Sequence, residues 1–195
     1  VVTGSANANA TGISGFVATN GTKNTGSGTA SLSGANTNIT IDLTNILSGN
    51  FTITGGVFTN GCFDIIHRGH ISLFEFCGNY SLSLPTIVAV NSDESIRELK
   101  GSSRPVMKQE DRTAILSSIR WIDYVVVFDT KSVLPVLQKI KPKILVKGAD
   151  YSTKPCAEKD RIVGQDFVES YGGKVTTAPL VEGASTTSIV ERMGL

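Results

Sequence analysis

The chain has 195 residues, of which 40% are hydrophobic and 18% are charged, and its net charge at neutral pH is +1. This length suits one ordinary domain plus a smaller segment. The near-zero net charge argues against general electrostatic binding to nucleic acid or to an anionic membrane surface. The three cysteines are odd in number and lack the spacing of a metal site, so neither a disulfide framework nor a zinc site is expected.

Residues 1–55 differ in composition from the rest of the chain. They are rich in Gly, Thr, Asn and Ser, and their only charged side chains are Lys23 and Asp42. Two interpretations stay open, a flexible linker or tail and a small β-rich structure. The alternation of apolar and polar residues over 39–44 favours a strand. Further short strands are predicted at 12–18, 30–32 and 51–54.

A strip of short strands this small cannot bury a core by itself. We therefore expect residues 1–55 to pack on a partner or on copies of themselves, as a homo-oligomer or a larger assembly. Because such composition is found in extracellular and virion proteins, one hypothesis is a structural or attachment protein that carries residues 56–195 as a transferase-like module. That protein would be virion-associated. The alternative is a cytoplasmic enzyme, since neither a signal peptide nor an apolar run of bilayer-spanning length is visible.

From residue 56 onward, predicted strands and helices alternate. The strands are predicted at 57–59, 85–90, 124–128, 144–146 and 174–177. The helices are predicted at 69–78, 93–99, 110–119, from a cap at Thr130 or Ser132 to Ile140, at 160–171 and at 185–193. The strand at 85–90 is continuously apolar, as a parallel sheet covered on both faces requires. The alternation predicts an α/β domain with a Rossmann-like, doubly wound parallel sheet of five strands and right-handed crossovers.

The only two histidines of the chain, His67 and His70, follow the first predicted strand. Residues three apart share one face of a helix. A helix N-terminus offers free N–H groups and partial positive charge to a phosphate, and imidazoles add donors that titrate near neutral pH. Gly69 has no Cβ, so a ligand could approach the backbone. The stretch predicts a polyphosphate site, although the pair alone is also compatible with ordinary surface or core histidines.

Polar, glycine-rich and basic residues follow the other predicted strands, where ligands bind in sheets of this kind. These segments are Asn91–Asp93, Lys100–Gly101, Arg104–Val106, Lys147–Tyr151 and Glu182–Thr187. The last of them ends in three hydroxyl residues at a helix start. They are compatible both with a second phosphate contact and with a plain helix cap, and both interpretations stay open.

These motifs together resemble the HxGH nucleotidylyltransferase superfamily, in its cytidylyltransferase-like branch. The resemblance covers Val57 to Met193, and its carriers are Gly61–His70, Val90–Asp93, Leu99–Gly101, Arg104–Val106, Arg112, Trp121–Val125, Pro142–Tyr151 and Gly183–Thr187. Within that branch, the chain is most similar to the adenylyltransferase domain of the bifunctional ADP-heptose synthase, and next to glycerol-3-phosphate cytidylyltransferase. The heptose enzyme is often fused to a sugar kinase domain, whereas here residues 1–55 precede the matching part.

The resemblance implies transfer of a nucleoside monophosphate from ATP, or less favourably CTP, to a sugar or polyol phosphate such as heptose 1-phosphate, with release of pyrophosphate. It implies catalytic roles for His67, His70, Lys100 and Arg112, and contacts of Lys100 and Arg104 with the substrate phosphate. It implies nucleotide contacts at Cys62, Phe63, Gly69, Gly148, Asp150, Glu182, Gly183, Ser185, Thr186 and Thr187. Mg²⁺ is expected to bridge the phosphates, although the sequence identifies no metal ligand. Nucleic acid and membrane are not expected as partners.

Overall fold

The computed structural model describes residues 39–42, 55–81, 83–149, 151 and 162–194. The strands predicted at 12–18, 30–32 and 51–54 lie outside these ranges. The strands in the described ranges are β1 (Ile39–Asp42), β2 (Val57–Gly61), β3 (Thr86–Asn91), β4 (Tyr124–Phe128), β5 (Ile144–Gly148) and β6 (Lys174–Ala178). The helices there are α1 (Arg68–Tyr80), α2 (Asp93–Lys100), α3 (Gln109–Ser117), α4 (Leu134–Ile140), α5 (Gln165–Ser170) and α6 (Thr186–Met193).

All strands of the sheet are parallel, in the order β1-β4-β3-β2-β5-β6. The five strands from β2 to β6 confirm the predicted doubly wound, Rossmann-like sheet. The chain winds from β2 outward through β3 to β4, and then returns to place β5 on the other side of β2. This reversal puts the crossover helices on both faces of the sheet, which explains why its central strands bury apolar side chains on both faces.

Two apolar clusters show which helices cover which face. On the first face, Phe74 of α1 and Leu116 of α3 pack with Val88 of β3. On the second face, Leu137 of α4 and Val168 of α5 belong to the other cluster, together with β-strand residues that include Phe58, Ile87 and Leu145. Since consecutive strand residues point to opposite faces, each continuously apolar strand supplies both clusters at once.

The N-terminal segment contributes the edge strand β1. Ile39 to Asp42 pair in parallel with Tyr124 to Val127 of β4, residue by residue. This confirms a strand in the part of the predicted 39–44 stretch that the structure describes. Without β1, β4 would present a row of unpaired N–H and C=O groups at the sheet edge. The proposed boundary between residues 55 and 56 stays a prediction, and the sheet itself extends across it.

Removing residues 1–54 is expected to accelerate amide hydrogen exchange in β4. The β4 amides that donate hydrogen bonds to carbonyl groups of β1 would lose these acceptors. Hydrogen exchange read by mass spectrometry on the full chain and on the truncated protein measures this. Peptides from β3 serve as the internal control, since both neighbours of β3 remain. Equal protection of β4 in the two proteins would show that β1 does not cover this edge in solution.

One helix is shorter than predicted. The sequence predicts a helix over 160–171, whereas α5 begins at Gln165, and the start of the predicted range lies outside the described residues. Gly164 has a φ of +88°, a left-handed conformation that ends regular helix geometry. A Cβ on Gly164 would also lie 2.2 Å from Leu137 Cδ1, so close packing against α4 requires glycine at this position. At the start of α4, Ser132 accepts a hydrogen bond from the Leu134 amide, but the N-cap residue is Val133, so neither Thr130 nor Ser132 is the predicted cap.

Candidate active site

A cleft of about 710 Å³ opens where the carboxyl ends of the strands meet. Residues paired between β2 and β5 are Val57 with Ile144 and Phe58 with Leu145, although both strands continue for three further residues. The two strands therefore separate toward the cleft. This gap is the point at which the winding of the sheet reverses, and open α/β sheets bind ligands at that point.

The two histidines form one wall of the cleft. Their rings stack with centroids 3.8 Å apart and planes inclined by 23°, and Phe63 meets the His70 ring edge-on at 5.2 Å. Gly69 also lines the cleft, but a Cβ there would lie 3.1 Å from the His67 ring and 3.3 Å from Ala184 Cβ. The absence of a side chain at Gly69 therefore lets the His67 ring and the chain before α6 close in, rather than leaving that space to a ligand.

Burial keeps both imidazoles neutral at neutral pH. It lowers the pKa of His67, and it is the largest of the causes that lower the pKa of His70 to about 4. The neighbouring charges of His67 and Lys100 lower the pKa of His70 further, against the effect of a hydrogen bond with the Ile65 backbone. The Nδ1 atoms of both rings are buried without a hydrogen-bond partner in the described part of the chain. Buried polar atoms of this kind are costly, and a bound substrate could supply their partners.

The depressed pKa of His70 predicts a loss of stability in mild acid. His70 takes up a proton near pH 6.5 in the unfolded chain but only near pH 4 in the folded chain. Its contribution to the free energy of unfolding is therefore fully present above pH 6.5, and it is lost as the pH falls from 6.5 through 4. His70 alone should remove roughly 3 kcal/mol from the free energy of unfolding across this window.

Urea titrations between pH 7.5 and 4, followed by the fluorescence of the single tryptophan, measure this loss. In His70→Gln the free energy of unfolding should fall less steeply with pH than in the wild type. The other titrating groups are the same in both proteins, so their contributions cancel in the comparison. Parallel pH profiles would contradict the assignment of this window to His70.

Lys100 and the start of α6 complete the surroundings of the histidine pair. Lys100 is the last residue of α2, and it lines the cleft with His67, His70, Ser185 and Thr186. Its positive charge lowers the pKa of His70. The Ser185 Oγ accepts a hydrogen bond from the Ser188 amide at 3.0 Å, so this hydroxyl is a helix cap. The α6 N-terminus thus opens onto the histidine wall, which brings free N–H groups and partial positive charge to the same cleft.

The structure places Arg112, for which the resemblance implies a catalytic role, outside the lining of the cleft. Arg112 is fully buried and is not among the residues that line the cleft. Its Nη2 donates to Asp93 Oδ1 at 2.8 Å, its Nη1 to the Cys62 carbonyl at 2.6 Å, and its Nε to the Met107 carbonyl at 3.1 Å. Every nitrogen of the guanidinium is thus committed to holding the loop after β2 against α2 and the chain before α3.

Arg104, for which the resemblance implies a contact with the substrate phosphate, also lies outside the lining of the cleft. Arg104 Nη1 donates to Asp64 Oδ2 at 2.8 Å, and Arg104 does not line the cleft. Asp64 is only 4% exposed, and it also accepts hydrogen bonds from the Val106 and Met107 amides. Burial alone would raise the pKa of Asp64, but these amides and the guanidinium outweigh it and hold the pKa below the usual value. Asp64 is therefore the ionised anchor of the 104–107 segment.

The remaining predicted nucleotide contacts divide into three groups. Cys62, Phe63 and Gly148 line the cleft. Glu182, Gly183 and Thr187 flank the lining residues near α6 without belonging to them. Asp150 lies outside the described residues.

Lys147 is the main site residue to which the sequence analysis assigns no role. It is the fourth residue of β5, it is 9% exposed, and it lines the cleft. Its Nζ donates to the Asn60 carbonyl at 2.9 Å and lies 4.9 Å from the centroid of the Tyr151 ring. The sequence contains a signal for this residue, because Lys147 directly follows the apolar run 144–146. Ligands bind beyond the carboxyl ends of strands in such sheets, so a lysine at a strand end could have been predicted to contact a ligand.

The residues described by the structure do not build a metal cage, since no cluster of three or more His, Cys, Asp or Glu side chains occurs among them. The carboxylate of Asp64, in the loop after β2, accepts hydrogen bonds from Arg104 and from two backbone amides. Among these same residues, no helix has the length and apolar character that crossing a membrane requires.

Comparisons with known proteins agree with this geometry. Residues 58–192 match the family described as cytidylyltransferase-like. The bifunctional protein HldE of Gluconobacter oxydans is 48% identical over 137 residues, which are 70% of this chain and 27% of that protein. The HldE of Alcanivorax borkumensis is also 48% identical, with the same coverage. The chain thus spans about a quarter of the length of these curated relatives.

Two solved structures share the fold. The lipopolysaccharide core biosynthesis protein from Thermoplasma volcanium superposes with a TM-score of 0.50 at 21% identity, covering 67% of this chain and 98% of that one. The macrolide-efflux protein from Streptococcus pneumoniae gives a TM-score of 0.55 at 21% identity, covering 78% and 56%. At this identity the likeness shows the fold alone, whereas the match over residues 58–192 shows the family. The chain belongs to the cytidylyltransferase-like family of nucleotidylyltransferases.

Proposed function

We propose that residues 56–195 transfer a nucleoside monophosphate from ATP to a sugar phosphate such as heptose 1-phosphate, with CTP as the less favoured donor. The observation that carries the proposal is the convergence of two neutral, stacked imidazoles, Lys100 and the α6 N-terminus on one cleft. The choice of ATP and heptose rests on the resemblance of the motifs to the adenylyltransferase domain of ADP-heptose synthase. The relatives named HldE support the same direction.

The chemistry is an in-line displacement at the α-phosphorus. An oxygen of the acceptor phosphate forms the new bond to this phosphorus, and the bond from the phosphorus to the bridging oxygen of the β-phosphate breaks. The bonding electron pair leaves with pyrophosphate. No covalent intermediate is needed, so the protein acts by positioning the two substrates and by stabilising charge.

His67 and His70 have the properties that this task requires. A neutral imidazole donates one hydrogen bond without carrying a charge that must be desolvated. Directed at the triphosphate oxygens, two such donors stabilise the negative charge that grows there as the leaving group departs. The α6 N-terminus adds backbone N–H groups, and the charge of Lys100 adds attraction for the same anion.

Mg²⁺ fits this scheme as part of the nucleotide substrate. Mg²⁺ is commonly held by substrate phosphates and water with few protein ligands. The ion would supply charge neutralisation on the phosphates, in addition to what the imidazoles provide.

A substrate screen with the purified full chain tests the proposal. Each of the four nucleoside triphosphates is combined with heptose 1-phosphate or with glycerol 3-phosphate, and released pyrophosphate is measured. We expect the highest rate with ATP and heptose 1-phosphate. A double variant, His67→Ala with His70→Ala, controls for contaminating activity. A folded wild-type protein that releases no pyrophosphate above this control with any pair would refute the proposal.

A further inference from the structure

The end of β5 places a lysine in the gap that opens beside β2. The pairing of the two strands stops at Phe58 and Leu145, two residues before the Lys147 side chain. Beyond that point, the Lys147 ammonium bridges the separating strands through its hydrogen bond to the Asn60 carbonyl. The Lys147 ammonium thus lies in the gap between β2 and β5, where the winding of the sheet reverses. It contacts the Asn60 carbonyl, and its Nζ lies 4.9 Å from the centroid of the Tyr151 ring.

The pleat of β5 sets the face on which this lysine lies. Lys147 is two residues from Leu145, so both side chains leave the strand on the same face. Leu145 packs in the cluster of α4 and α5, while the histidines belong to α1 and its N-cap on the other face. The cleft thus has a histidine half, bounded by α1 and α6, and a lysine half, bounded by Lys147 and the start of α4.

In-line displacement assigns different groups to these two halves. The attacking oxygen must approach the α-phosphorus on the side opposite the departing pyrophosphate. If the histidine half holds the triphosphate, as the proposed function has it, the acceptor must enter from the lysine half. A phosphate monoester is close to a dianion at neutral pH, so bringing it up to an anionic triphosphate is opposed by charge repulsion. A positive charge shielded from water offsets that repulsion far better than an exposed one.

Lys147 meets this need better than the other lysines that line the cleft. Lys100 acts on His70 and so adds its charge to the histidine half. Lys131 lines the lysine half, but its side chain is exposed, so water screens its charge. Lys147 is nine-tenths buried, and an ammonium attracts phosphate as a compact point charge without demanding one fixed geometry.

We propose that the Lys147 ammonium binds the phosphate monoester of the acceptor and holds it for attack on the α-phosphorus. The site belongs to β5 and is distinct from the histidine wall. The inference rests on the proposed function for the identity of the acceptor, but the ligand class, a phosphate monoester, follows from the position of the charge.

The test compares Lys147→Met, Lys147→Arg and the control Lys139→Met, which removes an exposed lysine of α4 that does not line the cleft. Steady-state kinetics give KM separately for heptose 1-phosphate and for ATP. Lys147→Met should raise the acceptor KM on the order of 10–100-fold, the usual effect of losing a charged hydrogen bond, while the KM for ATP changes by less than about threefold. Lys147→Arg should stay nearer the wild type, and Lys139→Met should change neither constant.

A binding measurement separates this inference from the proposed function. Isothermal titration with inorganic phosphate and with glycerol 3-phosphate reports the site without turnover, and thermal melting reports folding. Loss of phosphate binding in Lys147→Met alone supports the site even if the wild type shows no transferase activity, which would refute only the proposed function. Unchanged acceptor affinity in a folded Lys147→Met protein overturns the inference. Equal losses for ATP and acceptor, or equal losses in Lys147→Arg and Lys147→Met, also overturn it, because they mark Lys147 as a strut between β2 and β5.

Discussion

Replacing either His67 or His70 by alanine is expected to lower the turnover number on the order of 10²–10³-fold, the usual effect of removing one preorganised donor to a developing charge. The effect should be large because both rings are neutral, partly buried and stacked, so they are already placed before the substrate binds. The KM for the acceptor should change little, since the donors act on the triphosphate.

Single-turnover measurements with saturating ATP and acceptor check this result. Arg68→Ala is a suitable control, because Arg68 lies between the predicted site residues in the chain but is exposed and does not line the cleft. His70→Gln should recover part of the activity, since an amide can donate a hydrogen bond from a similar place. Turnover that is unchanged in both alanine variants would remove the histidines from the chemistry.

Replacing Arg112 by methionine is expected to lower the free energy of unfolding by about 3–5 kcal/mol, the usual cost of removing one partner of a buried ion pair. The change leaves the Asp93 carboxylate and the Cys62 carbonyl without the donors that hold them at 2.8 and 2.6 Å. In a domain of this size the melting temperature should fall on the order of 10 °C.

Urea unfolding measures this loss, and Arg97→Met provides the matched control. Arg97 is paired with Glu94 at 3.0 Å, but both side chains are exposed, and surface pairs of this kind contribute at most about 1 kcal/mol. The comparison also decides between two roles for Arg112. A variant with wild-type stability and greatly reduced turnover would restore the catalytic role that the motif predicts and would contradict the structural one.

The buried arginine explains how the cleft is kept in shape. Arg112 joins the loop after β2 to α2, and Asp64 joins the same loop to the segment that carries Arg104. Because the loop leads directly into His67, these contacts fix the start of the histidine wall relative to the helix that ends at Lys100. In the structure, the two arginines of the motif therefore hold the loop and the helices around the site together.

Much of the fold follows from local patterns. The five strands predicted after residue 56 are all parallel strands of the sheet, and the predicted bounds of β4 match those observed. The run at 85–90 could be interpreted as a strand covered on both faces because Ile87 to Val90 are all apolar, and the residues of β3 are all buried. The helix predicted from 160 is the exception, since Gly164 packs against Leu137, a contact between distant parts of the chain that no local pattern contains.

The sequence by itself placed the two histidines together at the start of one helix, where His67 is the N-cap residue and His70 the third residue of α1. Only the tertiary structure decided the roles of the charged side chains. A guanidinium or an ammonium has the same chemistry in a cleft and in a buried network, and its role depends on which partners folding brings within about 3 Å. Arg104 and Arg112 turn away from the cleft to meet Asp64 and Asp93, while Lys147 turns into it because β2 and β5 separate there.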